Sequence, residues 1–379
     1  KNTDYPYFKK SKDREFVKAC QEILDNPLYM MQWVEEADRE DPIIPLKKGY
    51  KAFNCYTLPD GRIASLWKHA LTSISEDGGH TWAEPVLRAK GFVNSNAKIW
   101  GQRLSDGAYA TVYNPSEFRW PWAISLSKDG LEYTTLNLVH GEITPMRYGG
   151  NYKSYGPQYP RGIQEGNGVP ADGDLWVSYS VNKEDMWISR IPVPVEINAS
   201  AHADDDFSKF GSIAELTNWN IYSPVWAPVS LEGAWLKLQD KDPFDYAKVE
   251  RKIPASKELK VSFDLLAEQN DKGRLQIDFL DGNSIACSRL ELTPDGIFRM
   301  KGGSRFANMM NYEAGKTYHV EAVLSTADRN IQVYVDGKRV GLRMFYAPVA
   351  TIERIVFRTG EMRTFPTVDT PADQTYDLP

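Results

Sequence analysis

The sequence predicts an all-β protein made of two unlike parts. Three observations carry this prediction. Aromatic residues are 12% of the 379, with 11 Trp and 20 Tyr beside 27 Gly and 23 Pro, the mixture of packing and turn residues found in chains of many short strands. Between residues 50 and 190 an Asp-Gly dipeptide recurs at Asp60, Asp106 and Asp172, each between alternating apolar segments, which is a strong hairpin signal. Near residues 191–206 the composition shifts, with Pro192-Val193-Pro194 followed by Asp204-Asp205-Asp206, as at a domain junction.

Composition excludes several classes. The length points to two or three domains with a sizeable core. Lys and Arg number 45 against 51 Asp and Glu, a net charge of −6, with no dense basic run, so neither nucleic acid nor anionic lipid is an expected partner. No apolar stretch approaches the ~18–20 residues of a membrane span. Cys20, Cys55 and Cys287 are scattered, giving neither a disulfide framework nor a zinc pattern, and none of the 5 His is paired at metal spacing. Lys1–Lys12 is polar and lacks the apolar core of a signal peptide.

Three segments align on the Asp-Gly turns: Tyr50–Trp67, Asn96–Tyr113 and Pro160–Tyr179. In each, one strand runs into a turn ending in Asp-Gly, and a second strand follows. Further strands are predicted at Ala70–Ser75 and Pro85–Ala89, at Trp122–Ser127 and Glu132–Val139, and at Met186–Ile191. The turns are 46 and then 66 residues apart, which assigns a 20-residue insertion to Val139–Tyr159. Leu28–Val34 reads as the outer strand of an earlier unit. Four-stranded units at a period of ~40–50 residues predict β-propeller blades; a sandwich of hairpins is the alternative.

Ser75-Glu76-Asp77-Gly78-Gly79-His80-Thr81-Trp82 fits the pattern S-x-D-x-G-x-T-W, and Ser127-Lys128-Asp129-Gly130 with Tyr133 is a degenerate copy 52 residues later. Short Ser and Asp side chains bonding nearby amides, with Gly at positive φ, hold a turn. Asp77 and His80 are therefore expected to be structural. This motif resembles the Asp box, and residues 28–195 resemble the sialidase-like superfamily of BNR-repeat propellers. Within it, KAFNCYTLPDGRIASLWKHALTSISEDGGHTW and YGGNYKSYGPQYPRGIQEGNG look like a bacterial, polysaccharide-degrading branch. The spaced three-arginine carboxylate clamp of the true sialidases is not assignable here. The resemblance implies six blades, so residues 1–195 are expected to be the carboxy-terminal portion of a propeller, about three blades. The missing blades would precede Lys1, or lie on a companion fragment or chain.

Beyond the junction, strands are predicted at Leu259–Leu266, Arg274–Leu280, Tyr318–Leu324, Ile331–Val335 and Ile352–Arg358. The hairpin Tyr318–Val340, turning at Asp336-Gly337, and the opening Asp205–Phe207 resemble concanavalin and laminin-G-like sandwiches. Residues 204–379 are thus expected to form an antiparallel jelly-roll β-sandwich, with one more strand after Asp369. No cofactor is required. Asp240, Asp242 and Asp245 offer oxygens for a structural calcium ion, or form a solvated loop. Asn218–Trp226 supplies either a sugar platform or aromatics that pack one domain on the other.

Propeller geometry gives a site map. The Asp-Gly turns and Asp boxes share one face, so the strand 2–3 loops and the blade-to-blade links share the other, where such enzymes hold substrate. Those segments contain Lys68 and His69; Asn94, Asn96 and Lys98; Glu117, Arg119 and Trp120; and Asn182–Asp185. The insertion adds His140, Glu142, Arg147, Tyr148, Tyr152, Lys153, Tyr155 and Tyr159, and Arg161 and Glu165 follow on the third blade. The catalytic candidates are His69, Tyr148, Tyr152 and Glu165. The substrate-binding candidates are Lys68, Asn96, Arg119, Trp120, Arg147, Lys153, Tyr159 and Arg161; no metal ligand is assigned. Plainer roles compete: Arg119 paired with Glu117, Arg161 paired with Glu165, and residues 182–185 as a solvated turn.

Cationic side chains in this set suit an anionic sugar, and paired acidic groups suit general acid/base work at a glycosidic bond. The resemblance and these residues imply a secreted or periplasmic bacterial glycoside hydrolase acting on an acidic oligo- or polysaccharide, with carbohydrate as its partner. A polysaccharide lyase on the same fold and a non-catalytic carbohydrate-binding protein are the alternatives. Arg147, Tyr148, Tyr152, Lys153 and Arg161 are expected to gather with His69 around the propeller axis.

Overall fold

The computed structural model describes residues 7–33, 50–93, 96–117, 119–142, 146, 148–151, 153–162, 172–199, 201–242 and 245–360. The chain divides into two compact units: Lys1–Ile143 with Tyr148–Val195, and Glu196–Pro379 with Thr144–Arg147.

The first unit opens with helices α1 (Arg14–Asp25) and α2 (Pro27–Trp33). Asp13 caps α1 by accepting from the Phe16 amide. Asn26 Oδ1 accepts from the Leu28 and Tyr29 amides, and Pro27 takes the first helical position. An Asn cap followed by Pro is a helix-start signal, and it overrides the apolar run that predicted a strand over Leu28–Val34.

Three antiparallel sheets follow, each a meander in sequence order. The first is β1 (Asn54–Thr57), β2 (Ile63–Trp67), β3 (Leu71–Ser75) and β4 (Leu87–Arg88). The second is β5 (Trp100–Arg103), β6 (Tyr109–Tyr113), β7 (Trp122–Ser127) and β8 (Asn137–His140). The third is β9 (Pro157–Gly162), β10 (Leu175–Val181) and β11 (Asp185–Ile191). One apolar cluster, including Leu66 and Tyr109, joins the first sheet to the second, and another, including Trp122 and Tyr179, joins the second to the third. The sheets therefore stack in series, as blades do.

The repeated turn has one geometry. The Asp60, Asp106 and Asp172 carboxylates each accept from the amide two residues on, at 3.1, 3.0 and 3.1 Å. The glycine between has φ of +87°, +89° and +77°, a region open to glycine and strained for other residues. Both Asp boxes also form. Ser75 Oγ donates to Asp77 Oδ1 (2.8 Å) and accepts from the Gly79 amide (2.8 Å). Ser127 Oγ donates to Asp129 Oδ1 (2.9 Å) and accepts from the Gly130 amide (2.9 Å). Trp82 packs edge-on against Trp67 and Phe53, so this motif is structural.

The second unit is a β-sandwich. Its strands are β12 (Trp219–Tyr222), β13 (Val229–Glu232), β14 (Trp235–Leu238), β15 (Lys248–Ser256), β16 (Glu258–Leu266), β17 (Leu275–Leu280), β18 (Ala286–Leu292), β19 (Ile297–Gly302), β20 (Arg305–Asn311), β21 (Thr317–Ser325), β22 (Asn330–Val335), β23 (Lys338–Met344) and β24 (Ile352–Thr359). A seven-stranded sheet, β12-β15-β24-β17-β18-β19-β20, faces a four-stranded one, β16-β21-β22-β23; β13 and β14 pair separately. Ile277, Phe279, Leu290 and Met300 of the larger sheet meet Val320, Ala322, Leu324 and Val333 of the smaller in an apolar core. Residues 361–379, where a further strand was expected, lie outside the described residues.

The Asp205–Phe207 opening anchors this unit. Asp205 accepts from Arg251 Nε (2.6 Å) and Nη2 (3.2 Å), and Phe207 packs on Trp219 with ring centroids 5.7 Å apart. Trp219 and Tyr222 of the Asn218–Trp226 segment are thus framework, while Trp226 is 61% exposed. Two of the three carboxylates offered to calcium accept hydrogen bonds within the fold. Asp240 accepts from Thr359 Oγ1 (2.8 Å) and the Asp242 amide (3.0 Å), and Asp245 from Tyr222 Oη (3.0 Å) and the Tyr246 amide (2.9 Å). Among the described residues no group of three or more acidic, His or Cys side chains is arranged to hold a metal ion.

Candidate functional site

The strand 2–3 loops emerge at the same end of their meanders. In the second and third sheets they meet the link that leads into β9, and here the structure brings charged and aromatic groups together. The centre is Tyr159. Opposite the single residue Tyr179 of β10, β9 places both Tyr159 and Pro160, a β-bulge. Tyr159 takes φ +61° there, a conformation costing about 1–3 kcal/mol for a non-glycine residue. The bulge re-aims its ring, which is 49% exposed.

Two cations flank that ring. Arg119, from the β6–β7 loop, has Cζ 5.5 Å from the ring centroid, and Lys183, from the β10–β11 loop, has Nζ at 5.8 Å. Partial burial pushes the phenol up. The hydrogen bond from Arg119 and the charges of Lys183 and Arg119 outweigh that, so Tyr159 sits below the ordinary tyrosine value.

Each cation is held by the backbone layout. Arg119 Nη1 donates to Gln158 Oε1 (2.7 Å), and Gln158, fully buried, donates through Nε2 to Ser154 O (3.0 Å). The competing Arg119–Glu117 pair is not found among the described residues; the guanidinium bonds Gln158 on the neighbouring blade instead. Asn182 locks the Lys183 turn to the link, its Oδ1 accepting from the Gly156 amide (2.8 Å) and its own amide donating to Gly156 O (3.0 Å). Gly156 has φ +87°, and a Cβ there would fall 2.2 Å from Arg119 O, so only glycine lets the link approach the β6–β7 loop.

Beside this centre lies a buried ion pair. Lys153 Nζ is 2.8 Å from Glu184 Oε1, with side-chain exposures of 17% and 2%. The same carboxylate oxygen accepts from the Tyr148 amide (2.9 Å), and Lys153 Nζ also donates to Asn182 O (3.1 Å). The Tyr148 side of the link is thereby fixed while the residue itself remains 67% exposed.

Of the candidates read from sequence, Arg119, Tyr159, Lys153 and Tyr148 belong to this one connected cluster. Trp120 borders it, its indole N–H donating to Gly141 O (3.2 Å). Asn96 Nδ2 donates to Glu117 O, and Arg161 stacks over Trp100 with Cζ 5.7 Å from the ring centroid. Lys68 and His69 lie on the β2–β3 loop, where His69 has φ +68°, and no hydrogen bond, ion pair or ring contact among the described residues joins their side chains to the cluster. Arg147, Tyr152 and Glu165 lie outside the described residues. His140 is buried, with Nδ1 2.9 Å from Tyr179 Oη.

Gln158, Lys183 and Glu184 were not chosen from sequence. Gln158 carried one signal, a long amide in a strand otherwise flanked by proline. Lys183 and Glu184 read as a solvated turn, and only the packing of the link onto that turn buries the Glu184 carboxylate.

No helix among the described residues is long and apolar enough to cross a membrane. Family models match three stretches: one described as a BNR repeat-like domain over residues 55–181, one described as a sialidase-like CBM domain over 219–374, and one for an N-terminal β-propeller over 1–50. No curated protein matches the chain. A solved structure titled "Sialidase" is 98% identical with a TM-score of 0.93 over 100% of this chain, which spans 35% of that one. A Trypanosoma rangeli sialidase is similar at 13% identity and TM-score 0.26, over 87% of this chain and 62% of that one. Sheep galectin-11 is similar at 18% identity and TM-score 0.25, over 29% and 88%. At those TM-scores the last two likenesses carry no argument.

Proposed function

We propose, for a chain that carries a BNR repeat-like propeller region followed by a sialidase-like CBM domain, that it serves glycoside hydrolysis on an acidic oligo- or polysaccharide. The observation that supports this reading is Tyr159, aimed by a bulge between Arg119 and Lys183. Two cations at one point favour a carboxylate on the sugar. They also favour the phenolate form of Tyr159.

A tyrosine suits the nucleophile's role when the substrate carries its own carboxylate, since a second carboxylate at the anomeric centre would be repelled. In this reading the Tyr159 oxygen attacks the anomeric carbon as the glycosidic C–O bond breaks, and the leaving oxygen takes a proton from a nearby acid. Water then gives a proton back to that same group, now a base, attacks the same carbon and releases the phenolate. His69, Tyr148, Tyr152 and Glu165 are the candidates for the acid. Arg147, Lys153, Lys68, Asn96, Trp120 and Arg161 are the candidates for binding the rest of the sugar. A polymeric acidic glycan fits a secreted or periplasmic setting.

The test is incubation of the chain with acidic oligosaccharides, following reducing ends and unsaturated uronate absorbance together. Hydrolysis gives reducing ends alone, and Tyr159→Phe abolishes them. Unsaturated product would make the protein a lyase. Binding without either product would make it a non-catalytic carbohydrate-binding protein.

A further inference from the structure

Left-handed backbone at a residue other than glycine is confined to two places among the described residues of the first unit. One is the Tyr159 site, with Tyr159, Asn182 and Lys183 at φ +61°, +56° and +57°. The other is in the first sheet: Ala52 on the link into β1, and His69 and Ala70 on the β2–β3 loop, at +63°, +68° and +58°. The turns at the opposite end of the meanders give such angles to glycine instead, at Gly61, Gly107 and Gly173. Strain of this kind persists only where the surroundings impose it, and it gathers at binding and catalytic sites. Here the surroundings are visible. The Lys68 amide donates to Lys51 O (3.0 Å), Ala70 O accepts from the Ala89 amide (2.8 Å), and Ala52 and Ala70 are buried. A link and a strand 2–3 loop are thus fastened together, as Gly156 and Asn182 fasten them in the third sheet.

These two segments carry an aromatic ring and uncompensated charge. The Tyr50 ring is 41% exposed and rests on the buried Trp67 ring, with centroids 5.1 Å apart. Phe53 and Trp82 hold Trp67 in turn, at 5.8 and 5.5 Å, so the exposed ring has a rigid base. Lys51 and His69 are exposed and Lys68 is half-buried. Among the described residues no carboxylate pairs with either lysine, and no hydrogen bond engages the His69 ring. We propose that Tyr50, Lys51, Lys68 and His69 form a second subsite at the loop end, which binds one carboxylate-bearing sugar unit of an acidic glycan. An exposed flat ring suits the apolar face of a pyranose. Two lysines without a counter-ion, in a chain whose net charge is −6, suit its carboxylate. The imidazole suits a sugar hydroxyl. The proposal rests on the acidic-glycan reading of the Tyr159 site. It goes beyond that reading in adding Tyr50 and Lys51, and in giving His69 a binding role in place of proton donation at Tyr159.

Isothermal titration calorimetry of the full chain with tetragalacturonate, tetramannuronate and neutral maltotetraose tests this. At least one uronate binds, maltotetraose does not, and the affinity falls as salt rises. Tyr50→Ala weakens binding about fivefold by removing the ring, with Tyr50→Leu in its place should the first unfold. Lys68→Gln weakens it about tenfold and makes the salt dependence shallower. His69→Gly, which adopts φ +68° without strain, weakens binding about threefold and leaves the unfolding temperature unchanged or raised, a combination that a purely structural histidine does not give. The subsite is overturned if neither uronate binds, if maltotetraose binds equally, or if the Tyr50 and Lys68 variants keep wild-type affinity. Hydrolysis is read separately. Tyr50-dependent binding without new reducing ends supports this subsite and removes the reaction at Tyr159, whereas hydrolysis with an unchanged KM in the Tyr50 and Lys68 variants does the reverse.

Discussion

Lys153 Nζ and Glu184 Oε1 are 2.8 Å apart in a site where the carboxylate is 2% exposed. The pair fastens the link before β9 to the turn after β10, and the Tyr148 amide shares the same oxygen. Removing Glu184 takes the carboxylate away from the Lys153 ammonium, whose side chain is 17% exposed. Glu184→Ala is expected to lower stability by about 3 kcal/mol, whereas Lys153→Met with Glu184→Leu together lowers it by less than either single change. Urea unfolding of Glu184→Ala, of Lys153→Met and of the double variant checks this.

The Tyr159 phenol sits below the ordinary tyrosine value of about 10 because of Arg119 and Lys183. A depressed pKa means that the stability from its ionised form is present above the unfolded value and is lost as pH falls through the folded one. Phenolate absorbance should therefore show one residue titrating early. Arg119→Ala moves that titration up toward the ordinary value, and Tyr159→Phe removes it. No change in either variant would place the early titration elsewhere.

Asp77 is held well below the usual carboxylate range by the Thr81 hydroxyl and amide and by the Ser75 hydroxyl. Its contribution to stability is thus complete above the ordinary aspartate value of about 3.9 and is lost as pH falls through the lower folded value. Asp77→Asn is expected to lower the unfolding temperature at neutral pH and to flatten its fall in acid. Thermal scans of both proteins across the acid range decide it.

At Gly156 the link packs directly against the β6–β7 loop. With φ +87° and a backbone oxygen 2.2 Å from the site of a Cβ, alanine forces the two segments apart. Gly156→Ala should separate Arg119 from Tyr159, raise the Tyr159 titration and reduce activity, while Gly149→Ala, where a Cβ meets nothing within 4 Å, should change neither.

In the second unit, Arg251 and Asp205 are 8% and 17% exposed and bonded through both oxygens. Arg251→Ala is expected to cost about 3 kcal/mol, read as a lower urea midpoint with an unchanged slope.

The sequence by itself determined the periodic features. Alternating apolar residues around Asp60-Gly61, Asp106-Gly107 and Asp172-Gly173 specify hairpins, because an Asp side chain bonds the turn amide and Gly supplies positive φ wherever they occur together. The Asp boxes and the sandwich strands were legible for the same reason: their bonds reach only a few residues along the chain or recur at period two. Leu28–Val34 was misread because the apolar run outweighed the Asn26-Pro27 helix start. The site depended on contacts across 24 to 40 positions of sequence, Arg119 to Gln158 and Tyr159 and Tyr159 to Lys183. Nothing local marks Gln158 as the anchor of Arg119, Glu184 as a buried carboxylate, or Tyr159 as the residue of a bulge. Those properties arise only when two loops and a link are packed at one end of adjacent sheets, since burial and charge proximity belong to the assembled surface and not to any segment of it.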